Sequence, residues 1–444
     1  MREKQIEGNR NGTFSSSLGF VIACVGSAVG LGNIWMFPYR VGQYGGAAFL
    51  IPYLLFTFLF GWVGLSGEFA IGRLARTGTI GSYAYCFASR GRKKLGAALS
   101  WIPLLGSLGI AIGYAVILGW VLRSLAGSAT GELLATDAES FFHQASGSFG
   151  SVPWHVAIVV MVGLVLMFGV TKGIEKVGKV LMPLFFVLFL ILAVWVAFLP
   201  GAAEGYKFLF IPEWKALLRV DTWVMAMGQA FFSLSITGSG MIVYGAYLEK
   251  DADIPRASLR TALFDTLAAL LSGLAIMPAV FAFGVDVTRG PSLMFIALPT
   301  VFQRMPFGRA FAVFFFISVA FAGITSLINM FEAVTESWQN HFGLGRKTAV
   351  LICSAITLAA GLFLEAEPSV GSWLDFITIV VVPIGAVLGA VSIYYVLGWD
   401  KIRKELDTGR KKPVSRAFGQ TAKFIYVPLT VLILILGFVY KGIG

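Results

Sequence analysis

Long apolar stretches alternate with short polar segments along the whole chain. A helix that crosses a bilayer needs about 20 mostly apolar residues. Segments of this kind are predicted at 14–38, 45–71, 97–125, 154–171, 177–199, 220–247, 258–286, 307–340, 347–365, 371–398 and 421–441. The pattern therefore predicts an all-α membrane protein with 11 transmembrane helices, in a single domain that covers 1–444.

Two of the predicted spans are interrupted by glycine and polar residues. The first contains "GSAVGLGN", and the sixth contains "SLSITGSG", Ser233 to Gly240. The breaks are five spans apart, so they fall at equivalent places in two inverted five-helix repeats, about 14–199 and 220–398, followed by an extra helix at about 421–441. Paired broken helices in inverted repeats are typical of the binding site of a secondary transporter. The alternative is that both glycine runs only allow close helix packing.

Composition and charge agree with a membrane location. The chain is 57% hydrophobic and 13% charged, whereas soluble domains contain about 25% charged residues. The net charge is +11, but the basic residues cluster between apolar stretches, as in cytoplasmic loops, so no nucleic-acid partner is expected. The three cysteines show no regular spacing, and no GxSxG, HExxH or Walker-type motif occurs. Neither a disulfide framework nor an enzyme is predicted.

Lysine and arginine predict the orientation of the chain in the membrane. They follow every even-numbered span, as in "KIRKELDTGRKKPVSR" after the tenth. Cytoplasmic loops carry the excess of basic residues. The N-terminus is therefore predicted to be cytoplasmic and, after 11 spans, the C-terminus external.

Five longer motifs occur in order along the chain: "AVGLGNIWMFPY", "GGAAFLIPY", "GIEKVGKVLMP" from Gly173 to Pro183, "GQAFFSLSITGSG" and "FAGITS". They resemble the first helix, the loop into the second, the fifth-helix motif for cytoplasmic unwinding, the sixth helix and the eighth helix of the neurotransmitter:sodium symporters. The resemblance is to the bacterial transporters of hydrophobic amino acids in particular, and it covers nearly the whole chain. It implies a sodium-coupled symporter of an amino acid, surrounded by lipid in the plasma membrane of a bacterium. It also implies alternating access, in which spans 1, 2, 6 and 7 rock against spans 3, 4, 8 and 9.

The resemblance implies two sodium sites near the breaks, where unwound carbonyls lack helical partners. The first site is implied to use the Ala28 carbonyl with the side chains of Asn33, Ser233 and Asp265. The second is implied to use the carbonyls of Gly26, Val29 and Ala322 with the hydroxyls of Thr325 and Ser326. All these donors are hard oxygens, which suit a small alkali cation, and Thr325 and Ser326 follow Ala322 by one helical turn.

An amino-acid site between the breaks is implied in the same way. The substrate carboxylate would lie on the amides of Leu31 and Gly32 and on the hydroxyl of Tyr114, for which an interfacial aromatic is the alternative. The amino group would meet the carbonyls of Ala28 and Phe232 and the hydroxyl of Ser235. The whole implied substrate set is Ala28, Leu31, Gly32, Ile110, Tyr114, Phe232, Ser233, Ser235, Ile236, Gly238, Ser326 and Met330.

The expected size of the substrate is based on Gly238. Bacterial relatives with smaller substrates have a phenylalanine at this position. The loss of that ring predicts room for an aromatic or large aliphatic side chain. No charged residue is expected to line this part of the pocket, so a charged substrate would be buried at large cost.

Acidic residues inside the spans are functional candidates because burying them is costly. The resemblance implies that Asp265 supplies a negative charge that other members take from chloride, so no chloride requirement is expected. Glu68 and Glu332 resemble positions that bond the unwound sixth helix, and both a structural and a proton-handling role are open.

The gate residues of the family are only partly present. Met36 replaces an arginine of the first helix, although its acidic partner matches Asp375. Asn340 replaces the gating acid of the eighth helix, which leaves the roles of Arg10 and Asn11 open. Salt bridges at the gates are therefore not expected.

An ion channel and an amino-acid sensor on the same fold are the alternative functions. A channel usually repeats a filter around a symmetric pore. The two inverted halves favour a carrier instead.

Overall fold

The computed structural model describes residues 12–285 and 293–443, and within these ranges the chain is all-helical. The helices of the first half are α1 (Ser17–Ala28), α2 (Gly32–Gln43), α3 (Ala47–Ala75), α4 (Thr79–Ala88), α5 (Lys93–Thr130), α6 (Glu132–Ala135), α7 (Ala138–Ala145), α8 (Val152–Met167), α9 (Val170–Ala197) and α10 (Ala202–Phe210). Those of the second half are α11 (Val220–Ser233), α12 (Gly240–Ala246), α13 (Ile254–Ala282), α14 (Leu293–Arg304), α15 (Gly308–Phe342), α16 (Arg346–Leu362), α17 (Glu367–Asp407) and α18 (Arg416–Val439). A 3₁₀ turn, Trp214–Leu218, precedes α11. The predicted all-α membrane fold is confirmed.

The number of spans differs from the prediction. Seven helices are long and apolar enough to cross a membrane, and α1 and α2 form an eighth span only as a pair bent by 55°. Predicted spans 4 and 9 correspond to α8 and α16, with 16 and 17 residues. Predicted span 6 is divided between α11 and α12. Within the described ranges, helix length and composition therefore do not confirm the count of 11, because three predicted spans are short or interrupted. Residue 286, the predicted end of span 7, lies outside these ranges.

The first break lies between α1 and α2, within the glycine-rich stretch. Val29, directly after α1, takes an extended conformation with φ −71° and ψ 111°. A Cβ at Gly30 would lie 2.5 Å from the hydroxyl oxygen of Tyr114 and 2.6 Å from that of Ser326. Only glycine lets the backbone approach α5 and α15 this closely. Because α1 ends here, its last carbonyls have no partners from a following helical turn.

The second break joins α11 to α12 through a strained turn. Ser235 has φ 54° and Gly238 has φ 74°. A left-handed conformation at a non-glycine residue costs about 1 kcal/mol or more. Two hydrogen bonds hold Ser235 in place: its amide donates to the Phe232 carbonyl at 3.0 Å and its hydroxyl to the Ser27 carbonyl at 3.2 Å. The two breaks are therefore in direct contact.

Both breaks lie inside the helical bundle rather than at its lipid-facing surface. α1 packs against α9, α13 and α15, α12 packs against α3, and α5 packs against α15. Nine residues of α1, from Gly19 to Ala28, are buried in these contacts. The fold thus places unpaired backbone groups in the interior, where only polar side chains, ions or a substrate can satisfy them.

Candidate functional site

Three of the four predicted residues of the first sodium site form one buried cluster. The side-chain amide nitrogen of Asn33 donates to Asp265 Oδ1 at 2.8 Å and to Ser233 Oγ at 3.0 Å. The Ser233 hydroxyl lies 2.7 Å and 2.9 Å from the two carboxylate oxygens of Asp265. Asn33 and Asp265 are fully buried, and Ser233 is 3% exposed. The fourth predicted residue, Ala28, ends α1 directly before the break.

The charge of this cluster is its most informative property. Among the described residues, Asp265 forms no salt bridge with lysine, arginine or histidine. A buried carboxylate without a counter-charge is costly, and a bound cation would remove that cost. Serine, asparagine and carboxylate oxygens fit a sodium ion. For this, the side-chain amide of Asn33 has to rotate so that its oxygen, rather than its nitrogen, faces Ser233 and Asp265. In the structure that oxygen accepts a hydrogen bond from the backbone amide of Gly30 at 3.0 Å.

The residues of the predicted second sodium site also come together, where the end of α1 meets α15. The Ser326 hydroxyl donates to the carbonyls of Gly26 at 3.3 Å and Val29 at 3.0 Å. The Thr325 hydroxyl donates to the Ala322 carbonyl at 3.0 Å. A Cβ at Gly26 would lie 3.0 Å from Thr325 Cβ, which shows how closely the helices approach. This cluster contains neutral oxygens only, so it fits a monovalent cation better than a divalent one.

The predicted carboxylate-binding groups lie at the start of α2. The Leu31 amide donates to the hydroxyl of Tyr114 at 2.9 Å, which supports the central rather than the interfacial role for that tyrosine. A Cβ at Gly32 would meet no atom within 4 Å, so this backbone borders open space. Ile110, Phe232 and Met330, predicted as pocket walls, are half-buried. The backbone at Gly32 therefore has room for at least one more carbon atom.

The expectation about Gly238 is corrected by its surroundings. Its amide donates to Glu68 Oε1 at 2.8 Å, and its carbonyl accepts the Tyr83 hydroxyl at 3.2 Å. A Cβ at Gly238 would lie 2.5 Å from the Gly385 carbonyl oxygen. The missing phenyl ring therefore leaves no vacant space at this position, and a phenylalanine introduced there would be strained.

Ile236 also differs from its predicted place in the pocket wall. It is 1% exposed, and its Cδ1 would lie 2.9 Å from a Cβ at Gly64 on α3. The side chain thus packs against another helix instead of facing open space. Residues at a helix break can point in several directions, and sequence spacing alone does not distinguish them.

Of the two predicted acidic positions, Glu68 contacts the unwound part of the sixth span, whereas Glu332 contacts the end of that span and not its unwound part. Glu68 bonds the Gly238 amide within the break. Glu332 accepts the hydroxyl of Tyr247, just after α12, at 2.5 Å and pairs with Arg346 at 2.7 Å. No sequence signal singles out Tyr83 or Tyr247. Arg346 is visible in the sequence only as one of the basic residues that indicate orientation.

The gate positions that the structure describes have the following surroundings. Met36 is half-buried, and Asp375 is exposed and forms no ion pair within the described part of the chain. Asn340 donates to Glu336, whose carboxylate also accepts the Gly78 amide at 2.7 Å. Glu336 is a buried acid that the motifs do not reveal. Arg10 and Asn11 lie outside the described residues.

A pair of touching helix breaks with two buried oxygen clusters, inside a bundle of membrane-spanning helices, is typical of a secondary transporter. The model of the sodium:neurotransmitter symporter family matches residues 11–146 and 139–442. The chain therefore belongs to this family, as its motifs predicted, and it is a transporter rather than an enzyme.

Similar proteins agree with this assignment. The chain is 38% identical over 334 residues to the uncharacterized sodium-dependent transporter YhdH of Bacillus subtilis, covering 73% of this chain and 72% of that protein. It is 30% identical to the uncharacterized sodium-dependent transporter MJ1319 of Methanocaldococcus jannaschii, covering 89% and 84%. The crystal structure of MhsT in complex with L-phenylalanine has a similar fold, with a TM-score of 0.83 and 32% identity over 96% of this chain and 99% of that chain.

Proposed function

We propose that this protein is a sodium-coupled symporter of hydrophobic L-amino acids, aromatic and large aliphatic, that works by alternating access without requiring chloride. The observation that carries the proposal is the buried Asp265 carboxylate, which Asn33 and Ser233 contact at the helix breaks and which has no salt-bridge partner among the described residues. A cation-binding charge next to an amino-acid space explains why the two solutes would move together. Family membership and the sodium-dependent relatives support the same ion.

The two oxygen clusters would have different effects on the protein. The first joins α2, α11 and α13, so sodium bound there would hold both broken spans in one arrangement beside the substrate. The second joins the end of α1 to α15 through Ser326 and Thr325. Sodium bound there would connect a helix proposed to move with a helix proposed to stay fixed. Release from the second cluster would then free α1 to move away from α15.

The second cluster gives a test of sodium coupling. Thr325→Ala removes one neutral oxygen ligand, which is worth about 1 to 1.5 kcal/mol. We therefore expect the sodium concentration for half-maximal uptake to rise about tenfold in reconstituted vesicles. Replacement of external sodium by potassium should abolish uptake by the unmodified protein.

Ser318→Ala is the matched control for this test. Ser318 is also buried in α15, but its hydroxyl donates to the Phe314 carbonyl, away from the breaks. Sodium dependence should be unchanged in this variant. Uptake that proceeds equally well in potassium would contradict the symporter, and sodium-dependent binding without uptake would indicate the sensor instead.

Substrate class is proposed from the apolar residues that the resemblance implies as walls of the amino-acid site. Ile110, Phe232 and Met330 offer apolar and polarizable contacts, and methionine makes favourable contacts with aromatic rings. The complex of the similar protein MhsT with L-phenylalanine supports a substrate of this size and polarity.

A competition panel tests this substrate class. Uptake of a labelled hydrophobic amino acid should be inhibited best by unlabelled tryptophan, tyrosine, phenylalanine and leucine, and least by glycine and charged amino acids. Ile110→Phe adds bulk to the proposed wall and should selectively lower inhibition by the aromatic members, by about tenfold, because overpacking costs about 1 to 3 kcal/mol. Preference for alanine or glutamate in the unmodified protein would exclude the proposed class.

Orientation is proposed from the basic segments that follow the even-numbered spans. The N-terminus would be cytoplasmic and the C-terminus external, in the plasma membrane of a bacterium. Single cysteines at Gly8 and Gly444, both outside the described residues, should react with an impermeant thiol reagent from opposite sides of the membrane. The native cysteines Cys24, Cys86 and Cys353 are buried and should give little background. Reaction of both introduced cysteines from the same side would exclude an odd number of spans.

A further inference from the structure

A cleft with basic walls lies at one end of the molecule, away from both helix breaks. Its walls are the first turns of α13, Trp62 on α3, and the segment from Arg410 to Ser415 that connects α17 to α18. Arg256, Arg260 and Lys412 line it and are exposed. Together these walls form the basic cleft.

The charge of the basic cleft is not balanced by its own acids. Asp253 pairs with Arg410 at 2.8 Å, so these two neutralise each other. Arg256, Arg260 and Lys412 have no carboxylate within 4 Å in the part of the chain that the structure describes. Glu249 and Asp251 line a neighbouring cleft that the two arginines also line, but among the described residues neither acid forms an ion pair with them. Three cationic groups therefore line the basic cleft without a carboxylate partner among the described residues.

The helix that carries the two arginines changes from basic to apolar along one face. Arg256, Arg260, Leu263 and Leu267 follow each other at intervals of four, three and four residues, which places them on one stripe of α13. Leu263 is 56% exposed and Leu267 is 44% exposed. These leucines continue the stripe as an exposed apolar surface of α13. A soluble anion would use the arginines only, whereas a phospholipid would use the whole stripe.

The opposite wall has the composition of a membrane interface. Trp62 is partly exposed beside the cleft and packs edge-on against Phe418 of α18 at 5.2 Å between ring centroids. Tryptophan is enriched where hydrocarbon meets the polar headgroups. Trp62 and Leu263 both line the cleft, which is the combination expected where headgroups meet hydrocarbon.

We propose that the basic cleft binds the headgroup of an anionic phospholipid, with its acyl chains along Leu263 and Leu267. Basic pockets between transmembrane helices recognise such headgroups on the cytoplasmic side of membranes. The assignment to the cytoplasmic leaflet rests on the proposed orientation of the chain. A bound lipid would bridge α3, α13 and the connection between α17 and α18.

The test is lipid binding to the purified full-length protein, measured by native mass spectrometry in mild detergent. Phosphatidylglycerol and phosphatidylcholine with identical acyl chains are titrated separately. The first phosphatidylglycerol should bind at least about tenfold more tightly than phosphatidylcholine, since each arginine near a headgroup contributes about 1 kcal/mol. Glycerol phosphate, which has the headgroup chemistry without the chains, should not displace it.

Variants locate the site. Arg256→Gln with Arg260→Gln should weaken the first phosphatidylglycerol about tenfold or more. Arg256→Lys with Arg260→Lys keeps the charge and should retain binding within about threefold, which separates loss of charge from loss of folding. Lys93→Gln with Lys94→Gln removes the same charge from two exposed residues on a different surface and should leave binding unchanged. Equal loss in both glutamine pairs, equal affinity for the two lipids, or displacement by glycerol phosphate would overturn the proposal.

Discussion

Asp265→Asn should lower sodium-driven uptake about 100-fold at low sodium, because it removes the only charge from the first oxygen cluster. The substitution keeps the size of the side chain and one oxygen acceptor for the Ser233 hydroxyl. It removes a charged ligand, and interactions with a charged group are worth about 1.5 to 3 kcal/mol. Flux measured across a range of sodium concentrations should show a large increase in the half-maximal concentration, with the maximal rate affected less.

Chloride provides a second measurement on the same variant. If Asp265 replaces a chloride ion, uptake by the unmodified protein should continue when chloride is exchanged for gluconate. Asp265→Asn should then recover part of its activity when chloride is added. Glu365→Gln is the matched control, because Glu365 is equally buried but contacts Ser151 and His155, away from the breaks. A chloride requirement in the unmodified protein would exclude the proposed role of Asp265.

Gly30→Ala should abolish uptake, whereas Gly32→Ala should leave the protein folded and change only its affinity for the amino acid. A Cβ at Gly30 would approach the Tyr114 and Ser326 hydroxyl oxygens to 2.5 and 2.6 Å, but a Cβ at Gly32 meets nothing within 4 Å. Overpacking of this kind costs about 1 to 3 kcal/mol. In Gly30→Ala it would separate the Leu31 amide from Tyr114 and displace Ser326 from the α1 carbonyls.

The two variants are distinguished by thermal unfolding with and without sodium. Gly30→Ala should unfold at a lower temperature and lose its stabilisation by sodium, because Ser326 belongs to the second cluster. Gly32→Ala should keep both properties and bind the amino acid about tenfold more weakly, since its methyl group enters the proposed substrate space. Similar behaviour of the two variants would mean that the space beside Gly32 is not the amino-acid site.

The sequence is informative about where the helices break and less so about which way residues point there. Glycine, asparagine and serine at matched places in two spans predict the breaks because these residues weaken a helix and offer oxygens in its place. The contacts of Gly238 with Gly385 and Tyr83 depend on how distant helices cross, which no local pattern records. Glu332 and Arg346 are only 14 residues apart. In the sequence, however, Arg346 is explained equally well as one of the basic residues that mark a cytoplasmic loop, so their pairing could not be predicted.

The predicted number of spans differs from the number of long continuous helices for another reason. Hydropathy detects an apolar stretch whether or not it forms one continuous helix. The stretch at 220–247 counts as one span by length despite its glycine and polar residues, and α11 and α12 are separated within it by the turn at Ser235 and Gly238. The rule of about 20 residues for a span therefore finds the segment and misses its division.

The shortness of α8 and α16 has a consequence for the surrounding bilayer. These helices pack against each other, and Leu164 and Leu351 are among their side chains exposed at the outer surface. At 1.5 Å per residue they are about 24 to 26 Å long, against a hydrocarbon thickness of about 30 Å. Hydrophobic mismatch on this flank has to be relieved by local thinning of the membrane or by polar groups reaching past the helix ends. The far longer α9 and α13 have no such shortfall in length, so this mismatch is expected on the flank of α8 and α16 rather than around α9 and α13.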